Sequence, residues 1–270
     1  MRSLETIDEW PVGIAAAAAL NNDSTLESYG PTDHRFALAS ISKVLSAVAV
    51  HVAIEEEVIA IGDVAAGAPA GATIAHLLNH SSGLAPDSAE SLAAPGKKRI
   101  YSNYGFELAT QHVATQSTID FADYLSEAVF APAAMGSTEL QGSPAHGIVS
   151  TVEDLVLFLQ ALHQGWILAP ETLQAMISPS GGDLPGVLPG YGRQNRNSWG
   201  LGVEIRGDKS PHWTAEQNSA STWGHFGRSG TFIWVDPIRE RSLICLTDRL
   251  FGDWALERWP ALSSNFLEST

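Results

Sequence analysis

The stretch that marks this chain reads Phe36-Ala37-Leu38-Ala39-Ser40-Ile41-Ser42-Lys43-Val44-Leu45, and Lys43 is its one charged residue. Residues three apart on a helix share a face, so a helix through this stretch brings the Lys43 amine beside the Ser40 hydroxyl. An amine in that place can accept the serine proton or polarise the group that accepts it. The pair therefore suggests a nucleophilic serine with its activating base.

An ordinary helix start is the alternative explanation, with Ser40 as the cap and Lys43 extending to solvent. Chance alone gives roughly one Ser-x-x-Lys in a chain of this length. A capping serine is usually followed three residues later by Glu or Gln, and a cation in the first turn opposes the helix dipole. Of the four lysines, only Lys43 stands three residues after a serine. This placement favours catalysis, and apolar residues at helical spacing continue the helix to about Glu57.

Composition excludes several classes of function. The 270 residues carry a net charge of −15, which repels phosphate backbones and anionic lipid, so we expect neither nucleic-acid nor membrane binding. No apolar run approaches the roughly 20 residues that span a bilayer, and residues 1–10 lack the apolar segment of a secretory signal. Cys245 is the single cysteine, so no internal disulfide can form. We expect a monomeric, cytoplasmic protein.

Strand patterns occur at both ends of the chain. Residues 12–20 hold five consecutive alanines, which propensity assigns to a helix, but the turn signal Asn21-Asn22-Asp23-Ser24 and a second short segment at 25–29 favour a hairpin. Further strands are predicted at 199–205, 230–237 and 242–247, with a closing helix at 254–266. One sheet assembled from both termini follows from this arrangement.

The middle of the chain reads as mainly helical. Helices are predicted at 74–80, 103–116, 119–130 and 155–165, the last one capped by Ser150 or Thr151. Residues 85–98 and 181–197 are rich in Gly and Pro or other small residues and are predicted to be loops.

Two further polar segments could supply the groups that a serine–lysine pair needs. Tyr101-Ser102-Asn103 offers a phenol, which couples with a nearby lysine because each perturbs the pKa of the other. Alone, it is more typical of a polar turn that opens a helix. Trp223-Gly224-His225-Phe226-Gly227-Arg228-Ser229-Gly230-Thr231 precedes an apolar strand, where free backbone N–H groups could hold an oxyanion. Its alternative is a glycine-rich hairpin loop.

Taken together and in order, these segments resemble the serine beta-lactamase and penicillin-binding-protein superfamily, in its class C-like branch of lactamases, esterases and peptidases. Phe36 to Lys43 is similar to the nucleophile motif, Tyr101-Ser102-Asn103 to the tyrosine–asparagine motif, and Gly224 to Gly227 to the third motif. Supporting similarity comes from His76-Leu77-Leu78-Asn79-His80-Ser81-Ser82-Gly83-Leu84 and Val149-Ser150-Thr151-Val152-Glu153-Asp154-Leu155.

The resemblance implies a role for each motif residue. Ser40 attacks a carbonyl and becomes acylated, while Lys43 and Tyr101 activate it; which of the two is the base stays open. Asn103 binds the substrate amide or carbonyl. The backbone N–H of Ser40 and that of Arg228, the residue just past Gly227, form the oxyanion hole. His225 takes the place that Lys or His usually fills.

One departure from the family pattern bears on the substrate. Lactam-binding members commonly present Lys and a hydroxyl side chain to the substrate carboxylate, whereas this chain has His225 and Phe226. Phe226 cannot donate a hydrogen bond, although Arg228 offers a cation nearby. The loss of such a polar grip weakens carboxylate recognition. We therefore expect esters or small amides to be preferred over beta-lactams.

His76 and His80 stand four residues apart, a spacing that can suit a metal, but no Glu fills the position that a zinc-protease helix requires. We expect no metal and no cofactor.

The sequence thus predicts an α+β fold of the beta-lactamase-like sandwich type. Residues 1–270 form one domain, with subdomains at 1–55 plus 198–270 (sheet) and 56–197 (inserted, mainly helical). The predicted activity is a serine hydrolase acting through an acyl-enzyme on a small-molecule ester or amide. Alternatives are a beta-lactamase or D-alanyl-D-alanine carboxypeptidase, and a non-catalytic penicillin-binding sensor.

Overall fold

A computed structural model describes residues 3–22 and 24–269 of the chain. The strands are β1 Ala15–Asn21, β2 Thr25–Tyr29, β3 Phe36–Ala37, β4 Leu84–Ala85, β5 Ser88–Ser91, β6 Glu139–Leu140, β7 Ile148–Ser150, β8 Gly186–Leu188, β9 Gly192–Gln194, β10 Glu204–Ile205, β11 Trp223–Gly227, β12 Thr231–Asp236 and β13 Arg241–Thr247. The helices are α1 Ser42–Glu55, α2 Ile74–Leu78, α3 Asn103–Ser117, α4 Phe121–Leu125, α5 Val152–His163, α6 Pro170–Met176 and α7 Asp253–Glu268. Short 3₁₀ turns at Ser3–Glu9 and Ala39–Ile41 and a π turn at Ser126–Phe130 complete the secondary structure.

An antiparallel sheet in the order β10-β11-β12-β13-β1-β2 lies at the centre of the molecule. Its strands come from residues 15–29 and 204–247, and β1 pairs with β13 along its whole length, from Ala15 opposite Thr247 to Asn21 opposite Arg241. The α+β fold with a sheet built from both ends of the chain is confirmed.

Both faces of strand β1 are buried, which explains why an alanine run forms a strand. In β1, Ala16, Ala18 and Leu20 face the core formed with α1 and α3 to α6, while Ala17 and Ala19 face the opposite core. Because successive side chains of a strand point to opposite faces, β1 contributes small side chains to both cores. This packing outweighs the helix propensity of alanine. The opposite core holds α7 and a cluster of aromatic side chains.

The region between β3 and β10 supplies most of the helices. Its core is continuous with the one on the α1 face of the sheet, since both contribute to a single cluster of buried side chains. The proposed division into subdomains at 1–55 plus 198–270 and 56–197 stays a prediction. Within the described ranges, no helix is both long and apolar enough to cross a bilayer.

Several elements differ from the sequence-based expectations. The segment 181–197, predicted as a loop, contains the hairpin β8–β9, and 85–98 overlaps the small hairpin β4–β5. In the predicted strand 199–205, only Glu204–Ile205 pair as β10, although Trp199 bridges to Glu204. The helix expected at 119–130 divides into α4 and the π turn. Asp23, within the predicted turn, lies outside the described residues.

Residues 223–227, for which a loop was the alternative, are the fully buried strand β11. The sequence gives little sign of this strand because two of its five residues are glycines.

Candidate active site

Ser40 lies in a 3₁₀ turn, Ala39–Ile41, that connects β3 to α1. The preceding residue, Ala39, has φ +47°, a left-handed conformation that costs a non-glycine residue about 1–3 kcal/mol. Helix α1 begins at Ser42, so Ser40 precedes the helix instead of starting it as predicted. The half-buried Ser40 side chain opens into a cavity of about 370 Å³, called here the catalytic cavity.

The end of β11 packs directly on this turn. A Cβ atom placed on Gly227 would lie 2.4 Å from the Leu38 carbonyl oxygen and 3.1 Å from the Ala39 Cβ, so only glycine permits the approach. Beyond Gly227, the Ser229 hydroxyl donates to the Ala37 carbonyl at 2.6 Å and the Thr231 hydroxyl to the Leu38 carbonyl at 3.0 Å. The serine turn is thereby fixed against the end of β11 and the start of β12.

Lys43 is completely buried below Ser40. Its Nζ donates to the Asn103 Oδ1 at 2.6 Å and to the Ala145 carbonyl at 2.8 Å, and it lies 4.7 Å from the centroid of the Tyr101 ring. Burial lowers the Lys43 pKa to about 7, against smaller opposing effects of Asp87 and Glu107. The amine is therefore partly neutral near pH 7 and can accept a proton.

Tyr101 connects the serine to the opposite wall of the cavity. Burial raises the pKa of its hydroxyl well above the usual value, while a hydrogen bond from the Ser40 hydroxyl works in the other direction. The Tyr101 hydroxyl lies 3.4 Å from the His225 Nε2. Because burial dominates, the phenol stays protonated at neutral pH and can pass a proton on without holding a charge.

His225 is buried in β11 and is held as one neutral tautomer. Its Nδ1 lies 2.7 Å from the Phe226 carbonyl oxygen, which can only accept, so the proton sits on Nδ1 and the Nε2 lone pair faces Tyr101. Burial, with a smaller effect of Lys43, lowers the His225 pKa to about 3.

Asn103 and Arg228 occupy different sides of the cavity. Asn103 opens α3, and its amide is oriented by Lys43 on one side and by the Asp87 carboxylate, which accepts from Nδ2 at 2.7 Å, on the other. The Arg228 side chain is exposed at the cavity mouth, and its carbonyl accepts from the Phe251 N–H at 2.9 Å. Phe226 is buried among Tyr191, Trp213, Phe251 and Trp259, as part of the aromatic core.

The structure thus brings the seven predicted site residues to one place. Ser40, Tyr101, Asn103, His225 and Arg228 line the catalytic cavity, Lys43 bonds Asn103 beneath it, and Gly227 contacts the serine turn. The direct pairing expected between the Lys43 amine and Ser40 is replaced by the bonds to Asn103 and Ala145.

His80 is a residue whose role the sequence did not reveal. Its carbonyl accepts from the Ile100 N–H at 2.9 Å and its ring Nδ1 from the Ser102 N–H at 3.1 Å, so it holds the backbone on both sides of Tyr101. Its ring packs 4.6 Å from the Tyr101 ring and 4.4 Å from that of Trp199. The His76 ring contacts Thr73 at the start of α2.

Glu204 is a second such residue, buried in the wall of the cavity. Its carboxylate contacts the Lys209 Nζ at 3.0 Å, the His212 Nε2 at 2.9 Å and the Trp213 Nε1 at 2.8 Å. Burial alone would raise its pKa, but Lys209 and His212 together lower it far below the usual value, so Glu204 is charged. A lone acid in the apolar segment 199–205 was the signal for this site in the sequence.

Comparison with known proteins identifies the family of the chain. The family model "Beta-lactamase" matches residues 7–264, whereas a search of curated proteins yields no match. A solved beta-lactamase from Mycobacterium bovis is 47% identical, with a TM-score of 0.96, covering 99% of this chain and 98% of that one.

Two more distant structures share the fold. A penicillin-binding protein from Bacillus halodurans is 17% identical, with a TM-score of 0.77, over 95% of this chain and 97% of its own. EstCE1, a hydrolase with promiscuous acyltransferase activity, is 17% identical, with a TM-score of 0.78, over 97% and 96%. Since one family model spans most of the chain and a relative of 47% identity follows nearly all of it, this protein belongs to the beta-lactamase family.

Proposed function

We propose that this protein is a serine hydrolase that forms an acyl-enzyme on Ser40 and acts on carboxylic esters or small amides. The observation that carries the proposal is the buried Lys43, whose pKa of about 7 provides a base beneath a half-buried serine. An unperturbed lysine, with a pKa near 10.4, would be almost wholly protonated at neutral pH and could not serve.

Lys43 is the better of the available proton acceptors. Burial lowers the pKa of His225 to about 3, well below the value of about 7 for Lys43, so the amine is the stronger base. Tyr101 keeps its own proton because burial raises its pKa. We therefore assign Lys43 as the general base, with Tyr101 orienting the serine hydroxyl and relaying its proton.

The proposed reaction has two balanced steps. The Ser40 Oγ forms a bond to the substrate carbonyl carbon and its proton passes to Lys43; the bond to the leaving alcohol or amine then breaks, and that group takes the proton. Water next attacks the acyl-enzyme, Lys43 accepts one of its protons, and the released acid leaves Ser40 free and reprotonated. Backbone N–H groups at Ser40 and Arg228 are proposed to stabilise the oxyanion.

The preference for esters and small amides rests on Phe226. Its ring belongs to the aromatic core, so the third motif offers no hydroxyl to a substrate carboxylate, and neutral His225 offers no charge. The second candidate is a beta-lactamase or D-alanyl-D-alanine carboxypeptidase, favoured by the exposed Arg228 guanidinium at the cavity mouth and by the beta-lactamase described for the 47% identical relative. A non-catalytic penicillin-binding sensor would become acylated without turnover.

One panel of substrates tests the proposal. We expect wild type to hydrolyse p-nitrophenyl esters faster than nitrocefin or D-amino-acid amides, and Ser40→Ala to lose this activity by at least about a thousandfold. Intact-mass measurement should find a fluorophosphonate adduct on wild type and none on Ser40→Ala. Unchanged ester hydrolysis in Ser40→Ala would refute the proposal, faster nitrocefin turnover would favour the lactamase, and a stable acyl adduct without turnover would favour the sensor.

The small-molecule substrate is part of this proposal, while the monomeric state and the cytoplasmic location stay predictions. Light scattering of the purified protein tests the first, and fractionation of the native host tests the second.

A further inference from the structure

A second groove, called here the side groove, adjoins the catalytic cavity. Its volume is about 620 Å³, within the range of small-molecule sites, and it shares Tyr101 and Pro189 with the catalytic cavity. A substrate with its carbonyl group at Ser40 can therefore extend past Tyr101 into this groove.

The walls of the side groove are mainly apolar. Leu92 and Val187 line it and are 46% and 62% exposed, which is unusual for large hydrophobic side chains in this protein. Ile100 and Pro185 add further apolar surface. Covering such surface with a hydrocarbon chain is favourable in proportion to the area removed from water.

The charge of the groove is opposite to that of the protein. The chain has 30 acidic and 15 basic residues, yet the described residues that line the groove include three cations, Lys98, Arg99 and Arg193, and no acid. Lys98 and Arg193 are exposed, and neither forms an ion pair within the described part of the chain. They leave two positive charges beside an apolar wall and near the proposed nucleophile.

Arg99 makes the groove a preformed site. Its guanidinium is buried and donates to the carbonyls of Asn79 at 2.7 Å, Asn197 at 3.2 Å and Ser180. Its backbone N–H donates to the Pro185 carbonyl at 2.9 Å, next to β8. Arg99 thus fixes the β8–β9 hairpin as a wall, which reduces the entropy lost when a ligand binds.

We infer that the side groove binds the unreactive part of the substrate, an apolar chain that ends in an anionic group, which Lys98 and Arg193 recognise. The inference rests on the proposed function for the reaction at Ser40 and adds the substrate class: amphiphilic esters or amides with a terminal carboxylate or phosphate. The chain can belong either to the acyl group or to the leaving group.

Matched esters test the charge recognition. The p-nitrophenyl monoester of octanedioic acid is compared with p-nitrophenyl octanoate for an acyl chain, and the acetate ester of 8-hydroxyoctanoate with octyl acetate for a leaving group. In one of these pairs we expect the K98A/R193A variant to lower the ratio of kcat/KM for the anionic over the neutral ester by about fivefold. The effect should fade in about 1 M salt.

The matched control removes two other exposed cations, Lys97 and Arg239, which do not line the groove. K97A/R239A should leave the ratio unchanged. For the apolar wall, Val187→Ser should reduce kcat/KM for octanoate relative to acetate esters, while Ile238→Ser, at a residue 75% exposed outside the groove, should not.

Failure of this inference differs from failure of the proposed function. Normal ester hydrolysis with the same ratio in wild type, K98A/R193A and K97A/R239A would overturn the groove assignment alone. If no ester is hydrolysed, calorimetry measures binding of the p-nitrophenyl monoester of octanedioic acid to Ser40→Ala, with and without the K98A/R193A change. Weaker binding with K98A/R193A supports the groove assignment. Absent binding, or binding that K98A/R193A leaves unchanged, overturns it.

Discussion

At the residue scale, the burial of one amine governs both the chemistry and the stability of this protein. Among the residues that the structure describes, no carboxylate pairs with Lys43, and its Nζ hydrogen-bonds an amide oxygen and a backbone carbonyl. Such neutral acceptors do not compensate for the loss of water around a charge, so the neutral amine is favoured. The same property that makes Lys43 a base therefore opposes folding while the amine is charged.

The acidic limb of the pH–rate profile should report Lys43. With neutral Lys43 as the base, kcat/KM rises with pH through an apparent pKa of about 7. Glu107 raises that pKa, so Glu107→Gln, which keeps an acceptor for the Ser143 hydroxyl, should move the limb to lower pH by roughly 0.3 unit. Glu171→Gln, at an exposed position in α6, is the control and should leave it in place. A shift to higher pH would contradict the assignment.

The stability of Lys43→Met should differ from wild type in a pH-dependent way. Between pH 7 and 10.5 the unfolded chain binds a proton on Lys43 that the folded chain does not, so this group makes wild type more stable as pH rises. The advantage of Lys43→Met in free energy of unfolding should therefore decline over this range, by at most about 4–5 kcal/mol. Urea denaturation at pH 7, 8.5 and 10 measures it; a constant difference would show that Lys43 is not desolvated.

The sequence predicted the members of the site better than their contacts. Ser40, Tyr101 and His225 were predicted from motifs, because the three motifs that contain them follow one another along the chain in a recognisable order. The partners of Lys43 were not found, since Ala145 contributes only a carbonyl, which any residue carries. The contact between His80 and Ser102 was not predicted, because it depends on a turn that no local pattern encodes.

At the scale of elements, the meeting of β11 with the serine turn sets the geometry of the site. Gly227→Ala would force the Leu38 carbonyl, now 2.4 Å from the new Cβ position, away from the strand. We expect kcat to fall by about a hundredfold or more, since small displacements of a nucleophile are costly. Gly62→Ala, where a Cβ meets no described atom within 4 Å apart from its chain neighbours, should keep full activity. Equal effects of the two changes on kcat would contradict this view.

Elements were predicted where packing and local pattern agree. Helix α5 begins at the predicted cap, because the Thr151 hydroxyl accepts from the Asp154 N–H at 3.1 Å. The β8–β9 hairpin was missed, since its glycines and prolines indicate a loop and its order derives from Arg99, about 90 residues earlier in the chain. Strand β11 was missed for a similar reason: it is defined by its neighbours and not by its own β propensity.

At the scale of the whole molecule, the sheet separates two cores that must form together. Trp259 of α7 is fully buried in the aromatic core, whereas Trp166 is 65% exposed. Trp259→Ala should lower the free energy of unfolding by about 3–5 kcal/mol, and Trp166→Ala by less than about 0.5 kcal/mol. Trp259→Phe should cost less than Trp259→Ala, since Phe keeps most of the buried ring and the Trp259 Nε1 has no hydrogen-bond partner within residues 3–22 and 24–269. Denaturant titration with both probes, fluorescence and circular dichroism, measures these values.

The pairing of β1 with β13 has a consequence for the newborn chain on the ribosome. The two strands pair in register from Ala15–Thr247 to Asn21–Arg241. The ribosome must therefore add about 220 residues after β1 before β13 is available to pair with it. At ordinary rates of translation this delay is about 10 to 40 seconds. During that time β1, which is buried on both faces in the folded protein, can pair only with β2. We therefore expect a chaperone that acts on the growing chain to bind this alanine-rich segment.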